Sequence, residues 1–326
     1  MIDDRRRRIA YVLLGAVAVS LAGTWVAGKI AVQEIAPVAL AVSRFAVASV
    51  LLAAWILVRG GSLVWPRRRD LPFVMLMAGT GVAGFSLMFL FGLQRTPAAD
   101  GAILVPGLAP IVAATVGSVL YPERPPRQLA LGLASALPGL VLVVGPSVEQ
   151  SQARLLGDAC FLVAALCWGT YTALGRVATS RFGVLNATLY ALVAGTVLLV
   201  PLALLEGGWE TLMTASSDAL RGFLYLTVVG TVVAYVLYYE GVARIGVGRA
   251  SSFTLAVPVV GVALTVVFLG ERPSLLALLG GALVLAALWI ILRAPGSGRS
   301  DESSKSSVVE GTSPGLTPTS PRRSGR

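Results

Sequence analysis

The chain has no histidine and only two cysteines in its 326 residues. Without histidine, neither a Ser-His-Asp triad nor an HExxH zinc site can form. No G-x-x-x-x-G-K-[ST] loop is present, so the chain cannot hydrolyse ATP in the way a P-loop pump does. Cys160 and Cys167 lie on one helical face, and we expect them to pack as small apolar side chains rather than form a redox pair. The inventory therefore predicts a protein that is not an enzyme and that uses no cofactor or metal.

The sequence has few charged residues and many long apolar runs. The chain is 56% hydrophobic and 13% charged, whereas a soluble domain has about 25% charged residues. A bilayer core about 30 Å thick needs roughly 20 apolar residues of helix. Ten runs approach that length: 9–28, 36–58, 71–93, 98–121, 128–145, 157–176, 185–205, 222–241, 247–270 and 274–293. The in/out alternation of a membrane barrel is absent, so the runs predict an all-α integral membrane protein with ten transmembrane helices.

Basic residues predict how the chain is oriented in the membrane. Four arginines, Arg5 to Arg8, precede the first run, and positively charged loops stay in the cytoplasm. Alternate connections and the C-terminal segment then hold most of the other basic residues on the same side. The predicted outer connections hold only Lys29, Arg95, Arg154, Arg221 and Arg272. We therefore expect a multi-pass protein of the cell membrane with both termini cytoplasmic, whose net charge of +10 serves topology and headgroup attraction rather than nucleic-acid binding.

A repeat at a spacing of about 148 residues divides the chain in two. One copy reads GLQRTPAADGAILVPGLAPIVAATVGSVLYPERPPRQLALG, and the other reads GVARIGVGRASSFTLAVPVVGVALTVVFLGERPSLLALLG. They share a proline, an E-R-P triplet and a glycine in register: Pro110, Glu123, Arg124, Pro125 and Gly132 match Pro258, Glu271, Arg272, Pro273 and Gly280. We therefore predict two five-helix repeats, at 9–145 and 157–293. A basic cytoplasmic N-terminus at 1–8 and a Ser-, Pro- and Gly-rich, disordered cytoplasmic tail at 294–326 flank them.

An odd number of spans per repeat has a geometric consequence. The second copy enters the membrane from the opposite side, which makes an inverted repeat with its binding site near the midplane. Pro110 and Pro258 lie near the middle of spans 4 and 9, where each is predicted to kink its helix. The alternative that these prolines only shape packing stays open. Glu123 and Glu271 fall in turns before the next span, where we expect a structural role at an incoming helix N-terminus.

The sequence resembles the EamA family of the drug/metabolite transporter superfamily. The resemblance rests on the two five-span halves with their proline, E-R-P and glycine, on TWVAGKIA at 24–31 and on SRF at 43–45. It covers roughly residues 9–293 and implies a ten-helix basket with a central cavity. It also implies export of small metabolites, often amino acids or their derivatives. The second half departs from the pattern because it has no lysine at the place that corresponds to Lys29, and the resemblance does not supply the cargo.

Arg44 is the most conspicuous candidate for substrate binding. It lies in an apolar run, roughly 12 Å from the outer end of span 2 by helical rise. A mid-membrane arginine costs about 2.5–3.5 kcal/mol on insertion scales, so it usually faces a polar cavity or a partner. In a cavity its planar guanidinium would bind a substrate carboxylate through two hydrogen bonds, which favours acidic or zwitterionic cargo. Snorkelling to the headgroups, or a bond to a free carbonyl of a neighbouring span, remains the alternative.

Aromatic pairs are the other candidates for the substrate path. Trp168 and Tyr171 share one helical face in span 6, and Tyr235 and Tyr239 share one in span 8. Packing in a core or at an interface would explain such pairs equally well. Trp25 lies near the outer end of span 1, where we expect an interface anchor.

The acids give a weaker signal. Asp100 and Asp158 lie at span boundaries, so no paired aspartates are predicted inside the membrane. Span 1 has no acid, unlike the small multidrug transporters, and this argues against a simple proton/cation drug antiporter.

These features favour a secondary transporter that exports a small metabolite by alternating access. An importer, a cationic-drug exporter and a non-transport membrane interaction protein remain as alternatives. The expected partners are the lipid bilayer and a small-molecule substrate, and pairing as a homodimer is left open.

Overall fold

The computed structural model describes residues 2–120, 127–245 and 252–292, and within these residues the chain is helical without a strand. The α-helices are α1 (Ile2–Glu34), α2 (Pro37–Val58), α3 (Leu71–Ala78), α4 (Phe85–Arg95), α5 (Ala98–Leu120), α6 (Arg127–Gln150), α7 (Gln152–Phe182), α8 (Val184–Glu206), α9 (Trp209–Thr214), α10 (Ser217–Leu224), α11 (Ala234–Ile245), α12 (Ala256–Leu269) and α13 (Leu275–Leu292). The predicted all-helical class is confirmed.

The helices are apolar enough for a membrane. Seven described segments have the length and composition to cross a bilayer, and three shorter apolar helices accompany them at Ala134–Pro146, Ala256–Leu269 and Leu275–Ile290. Large apolar side chains remain exposed on several of these helices, among them Val50, Val197 and Phe268. Such a surface suits lipid, because helices satisfy their own backbone hydrogen bonds there. The chain is a multi-pass membrane protein, and the count of ten spans stays a prediction.

Two of the spans contain π-helical segments. Gly79–Gly84 joins α3 to α4, and Tyr225–Val233 joins α10 to α11. Each segment holds a glycine against another helix. A Cβ added to Gly81 would lie 2.1 Å from the Tyr171 ring on α7, and one added to Gly230 would lie 2.5 Å from a methyl carbon of Thr24 on α1. These glycines allow the π segments to approach their neighbours closely.

The contacts between helices show an exchange pattern: the contacts made by one predicted repeat recur when the two repeats are exchanged. Helix α1 packs against α10, α11 and α12, and α7 packs in the same order against α3, α4 and α5. Helix α2 packs against α8, and α6 packs against α13. The last pair is close, because a Cβ on Gly139 would lie 2.7 Å from the carbonyl oxygen of Gly280. Each of these contacts maps onto another, or onto itself, when the first predicted repeat is exchanged with the second.

The two prolines predicted to kink their helices occupy different settings. Helix α5 continues through Pro106 and Pro110, and the kink at Pro110 stays a prediction. Pro258 lies in the first turn of α12, just after the 3₁₀ turn Ser252–Leu255. A first-turn proline gives up no intrahelical hydrogen bond. The position of Pro258 near the middle of span 9 and its kink stay predictions, because residues 246–251 of that span lie outside the described part of the chain.

Candidate substrate site

Arg44 lies inside the bundle, with 7% of its surface exposed. Its Nε and one terminal nitrogen donate to the Thr231 hydroxyl oxygen, at 3.3 and 3.1 Å. The Thr231 hydroxyl in turn donates to the Leu226 carbonyl at 2.9 Å, within the second π segment. The guanidinium carbon is also 4.8 Å from the centre of the Phe45 ring. Arg44 is therefore anchored to the other half of the chain and does not snorkel to the membrane surface.

The charge of Arg44 has no carboxylate counterpart among the described residues, whose ion pairs all involve other arginines. The phenol of Tyr235 is an ionisable neighbour of Arg44. A buried charge without a counter-charge is unfavourable, and the penalty falls when an anion binds beside it. Arg44 is therefore a candidate partner for a negatively charged ligand group.

Three of the predicted aromatic residues join Arg44 in one cluster. Tyr171 and Tyr235 interact through their hydroxyl groups, and the Thr188 hydroxyl also contacts that of Tyr171. The Trp168 ring lies 5.3 Å from the Tyr171 ring, between centroids. We call Arg44, Trp168, Tyr171, Tyr235 and Thr231 the Arg44 cluster. The fourth predicted aromatic residue, Tyr239, has a side chain outside the described part of the chain.

Trp25 does not lie where the sequence suggested. It is 4% exposed, and its ring is 5.0 Å from that of Phe89 and 5.6 Å from that of Phe161, between centroids. The expectation of an interface anchor is wrong because α1 continues to Glu34, which leaves Trp25 well inside the helix. Trp25 and Phe89 continue the row of rings that starts at Tyr171 and Trp168, through Phe85.

Lys29 also lies inside α1 and not in an outer connection. Its Nζ donates to the carbonyl oxygens of Leu93 at 2.5 Å and Thr96 at 2.9 Å. These carbonyls are at the end of α4, where helical C=O groups have no partner of their own. A cation is also favourable near a helix C-terminus. Lys29 thus ties the end of α1 to the end of α4.

Two aspartates that sequence reasoning treated as separate meet beside Lys29. The Thr96 hydroxyl lies 2.9 Å from an Asp158 carboxylate oxygen and 3.4 Å from one of Asp100. Both aspartates are buried, and Arg154 forms an ion pair with Asp100 at 2.8 Å. This meeting was not predicted; that no aspartate pair lies inside the membrane stays a prediction, because both residues lie near the starts of their helices, α5 and α7. The available signal was an aspartate near the start of two apolar runs, but only the packing of α5 on α7 brings them together. The described residues contain no cluster of acids and cysteines that could hold a metal ion.

Glu271 caps a helix, but not the one that follows it. Its two carboxylate oxygens accept hydrogen bonds from the backbone N–H groups of Ala98 at 2.7 Å and Ala99 at 2.8 Å. These groups begin α5, which lies in the other predicted repeat. The expected structural role of Glu271 at a helix N-terminus is thus realised between the halves. Glu123, its predicted counterpart, lies outside the described residues.

The EamA-like transporter family model matches the chain twice, at residues 8–145 and 155–293. The chain belongs to the EamA-like transporter family. An uncharacterized transporter of Archaeoglobus fulgidus is 28% identical to this EamA-like protein, and the match covers 86% of the present chain and 96% of the relative. A probable terminal-alkyne amino-acid exporter of Streptantibioticus cattleyicolor is 32% identical over 78% of this chain and 83% of the relative.

A chain in a solved crystal structure shares the fold of this EamA-like protein. The TM-score is 0.59, and the match covers 85% of this chain and 94% of the other at 21% sequence identity. At that identity the likeness concerns the fold alone.

Proposed function

We propose that this EamA-like transporter exports a small zwitterionic or acidic metabolite, of the amino-acid class, across the cytoplasmic membrane. The observation that carries the proposal is Arg44, a buried cation whose hydrogen bonds go to one threonine hydroxyl. A planar guanidinium binds a carboxylate through two parallel hydrogen bonds. The rings of Trp168 and Tyr171 would then pack against the apolar part of the substrate. The hydroxyls of Tyr171 and Tyr235 would form hydrogen bonds with its polar groups.

The mechanism we propose is alternating access between two inverted five-span repeats. Three observations support it: the double family match, the exchange pattern of helix contacts and a π segment in the third span of each half. The Arg44 cluster takes its residues from both halves, with Arg44 from the first and the others from the second. A site shared in this way changes its access when one half rocks against the other.

The relative from Streptantibioticus cattleyicolor supports the proposed cargo class and direction, because its name describes a probable amino-acid exporter. The arginines that precede α1 support a cytoplasmic N-terminus by the positive-inside rule. Export from that side would begin with the Arg44 cluster open to the cytoplasm.

The test is a metabolite profile of the culture medium of cells that express the wild type, Arg44→Gln or Arg221→Gln. Arg221 is a matched control because it is an exposed arginine on α10 whose partner is the exposed Asp218 of the same helix. Loss of a charge-assisted hydrogen bond costs about 1.5–3 kcal/mol, so we expect Arg44→Gln to lower export of an amino-acid-like compound by about tenfold or more. Arg221→Gln should export as the wild type does.

Equal membrane abundance of the three proteins is required for the comparison. Export at the wild-type rate by Arg44→Gln would remove Arg44 from substrate binding. A medium that none of the proteins changes, under feeding with amino acids and dipeptides, would contradict export itself.

A further inference from the structure

A cavity lies apart from the Arg44 cluster, between the α2–α3 connection and the end of α7. Its volume is about 650 Å³, and it is open to the outside. Arg67 and Arg69 line it from the connection, and Arg181 lines it from α7. We call it the arginine cavity. It takes no part in the proposed transport site.

The arginine cavity has an excess of positive charge. Its acid, Asp70, is buried and is already used: it pairs with Arg181 at 3.0 Å and accepts the backbone N–H of Arg67 at 3.3 Å. Arg67 and Arg69 form no ion pair within the described chain, so two guanidinium groups lack a counter-charge. Several guanidiniums around one opening match the oxygens of a phosphate group, which they bind in a forked geometry.

Apolar side chains share the lining with these arginines. Trp65 is 83% exposed and Val64 is 48% exposed, and both face the cavity. The segment is held on the bundle, because the Asn186 side-chain amide donates to the Ser62 carbonyl at 3.2 Å. Tryptophan beside arginine at the end of a transmembrane helix is typical of the headgroup layer of a bilayer. An exposed indole of this kind gains from contact with lipid, whereas an inorganic ion would leave it uncovered.

We propose that the arginine cavity binds the phosphate-bearing headgroup of an anionic phospholipid. The phosphate oxygens accept hydrogen bonds from Arg67 and Arg69, with Arg181 kept in place by Asp70. Trp65 and Val64 cover the glycerol and the first acyl carbons. Basic pockets between transmembrane helices bind anionic headgroups through the same combination of charge and apolar contact. Free phosphate shares the first interaction but not the second, which allows the two sources to be separated.

The experiment is native mass spectrometry of the purified full chain in neutral detergent, titrated with phosphatidylglycerol. Arg69→Gln is compared with Arg68→Gln, a matched control in the same three-residue turn that removes the same charge but does not line the cavity. A basic residue near anionic lipid contributes about fivefold to binding. We expect Arg69→Gln to lower the bound phosphatidylglycerol by about that factor and Arg68→Gln to change it by less than about twofold.

A second comparison identifies the source of the phosphate. Trp65→Ala should lower phosphatidylglycerol binding, and excess inorganic phosphate should not displace the lipid. If Arg68→Gln and Arg69→Gln lowered phosphatidylglycerol binding equally, the binding would depend on general surface charge and the proposal would be overturned. Displacement of the lipid by inorganic phosphate, with Trp65→Ala unchanged, would overturn the lipid as the ligand. Size-exclusion profiles identical to the wild type confirm that each variant is folded.

Discussion

Single residues hold the aromatic part of the Arg44 cluster in place, and Gly81 is the clearest case. Its Cα faces the Tyr171 ring so closely that an added Cβ would lie 2.1 and 2.3 Å from two ring carbons. These atoms belong to the base of the ring, which cannot swing away without a change of rotamer. Any side chain at position 81 must therefore displace Tyr171 from Tyr235 or push the π segment away from α7.

We predict that Gly81→Ala lowers both stability and export. Overpacking of a tight site costs about 1–3 kcal/mol in unfolding free energy, and displacement of Tyr171 also disturbs the site. Gly79→Ala is the matched control, because position 79 starts the same π segment and an added Cβ meets nothing within 4 Å. Thermal unfolding in detergent and the export assay check both variants. A Gly81→Ala protein equal to Gly79→Ala in both measurements would contradict the contact.

At the same scale, the sequence predicted some residues well and could not predict others. The cost of a charge in lipid favoured an interior position for Arg44, because it depends on one residue in one run, but it left snorkelling open until the packing was known. Its partner Thr231 could not be predicted, since many threonines lie in apolar runs and only packing selects one. Asp100 and Asp158 were missed for the same reason. Trp25 was placed wrongly because a position relative to a helix end requires the end itself, and α1 extends beyond its apolar run.

At the scale of helices, features set by local composition were predicted, and features set by contacts between helices were not. Apolar runs predicted the helices, because a helix in lipid is set by composition over some twenty residues. The π segments could not be predicted in this way, since Gly79–Gly84 and Tyr225–Val233 lie within the apolar runs 71–93 and 222–241. The glutamate of the second E-R-P triplet was predicted to serve a helix N-terminus. That the helix is α5 rather than α13 follows from contacts between the halves.

We predict that Glu271→Gln destabilises the start of α5. The amide keeps one acceptor oxygen, so one of the two backbone hydrogen bonds to Ala98 and Ala99 is lost. The negative charge, which interacts favourably with the positive end of the helix dipole, is lost as well. The expected loss is about 1–2 kcal/mol in unfolding free energy. Glu210→Gln is the control, because Glu210 is an exposed glutamate in the first turn of α9.

The check combines thermal unfolding with hydrogen exchange of the amides at the start of α5. Faster exchange at Ala98 and Ala99 in Glu271→Gln alone is the expected result. Equal exchange in the two variants would show that Glu271 does not stabilise this terminus.

For the molecule as a whole, the two ends of the bundle are tied together differently. At the end formed by the C-terminus of α1, the Ser216 N–H and hydroxyl both donate to Glu34 at 2.7 Å, and the Val38 N–H donates to Glu206 at 2.9 Å. These bonds join helices of different halves. At the opposite end, Arg181 pairs with the buried Asp70 at 3.0 Å, and Arg59 reaches Glu240 at 3.3 Å with the arginine 61% exposed. Exposed ion pairs of this kind contribute little.

Alternating access requires the Glu34 end to open, and a cross-link there should stop transport. We predict that a Glu34→Cys/Ser216→Cys pair, with Cys160 and Cys167 replaced by serine, loses export once joined by a short methanethiosulfonate cross-linker. Reductant should restore export, because it releases the two halves. The Asp218→Cys/Arg221→Cys pair is the control, since both positions lie in α10 and joining them leaves the halves free. Undiminished export with the Glu34–Ser216 positions fully cross-linked would exclude opening at this end and, with it, the rocking of the two halves.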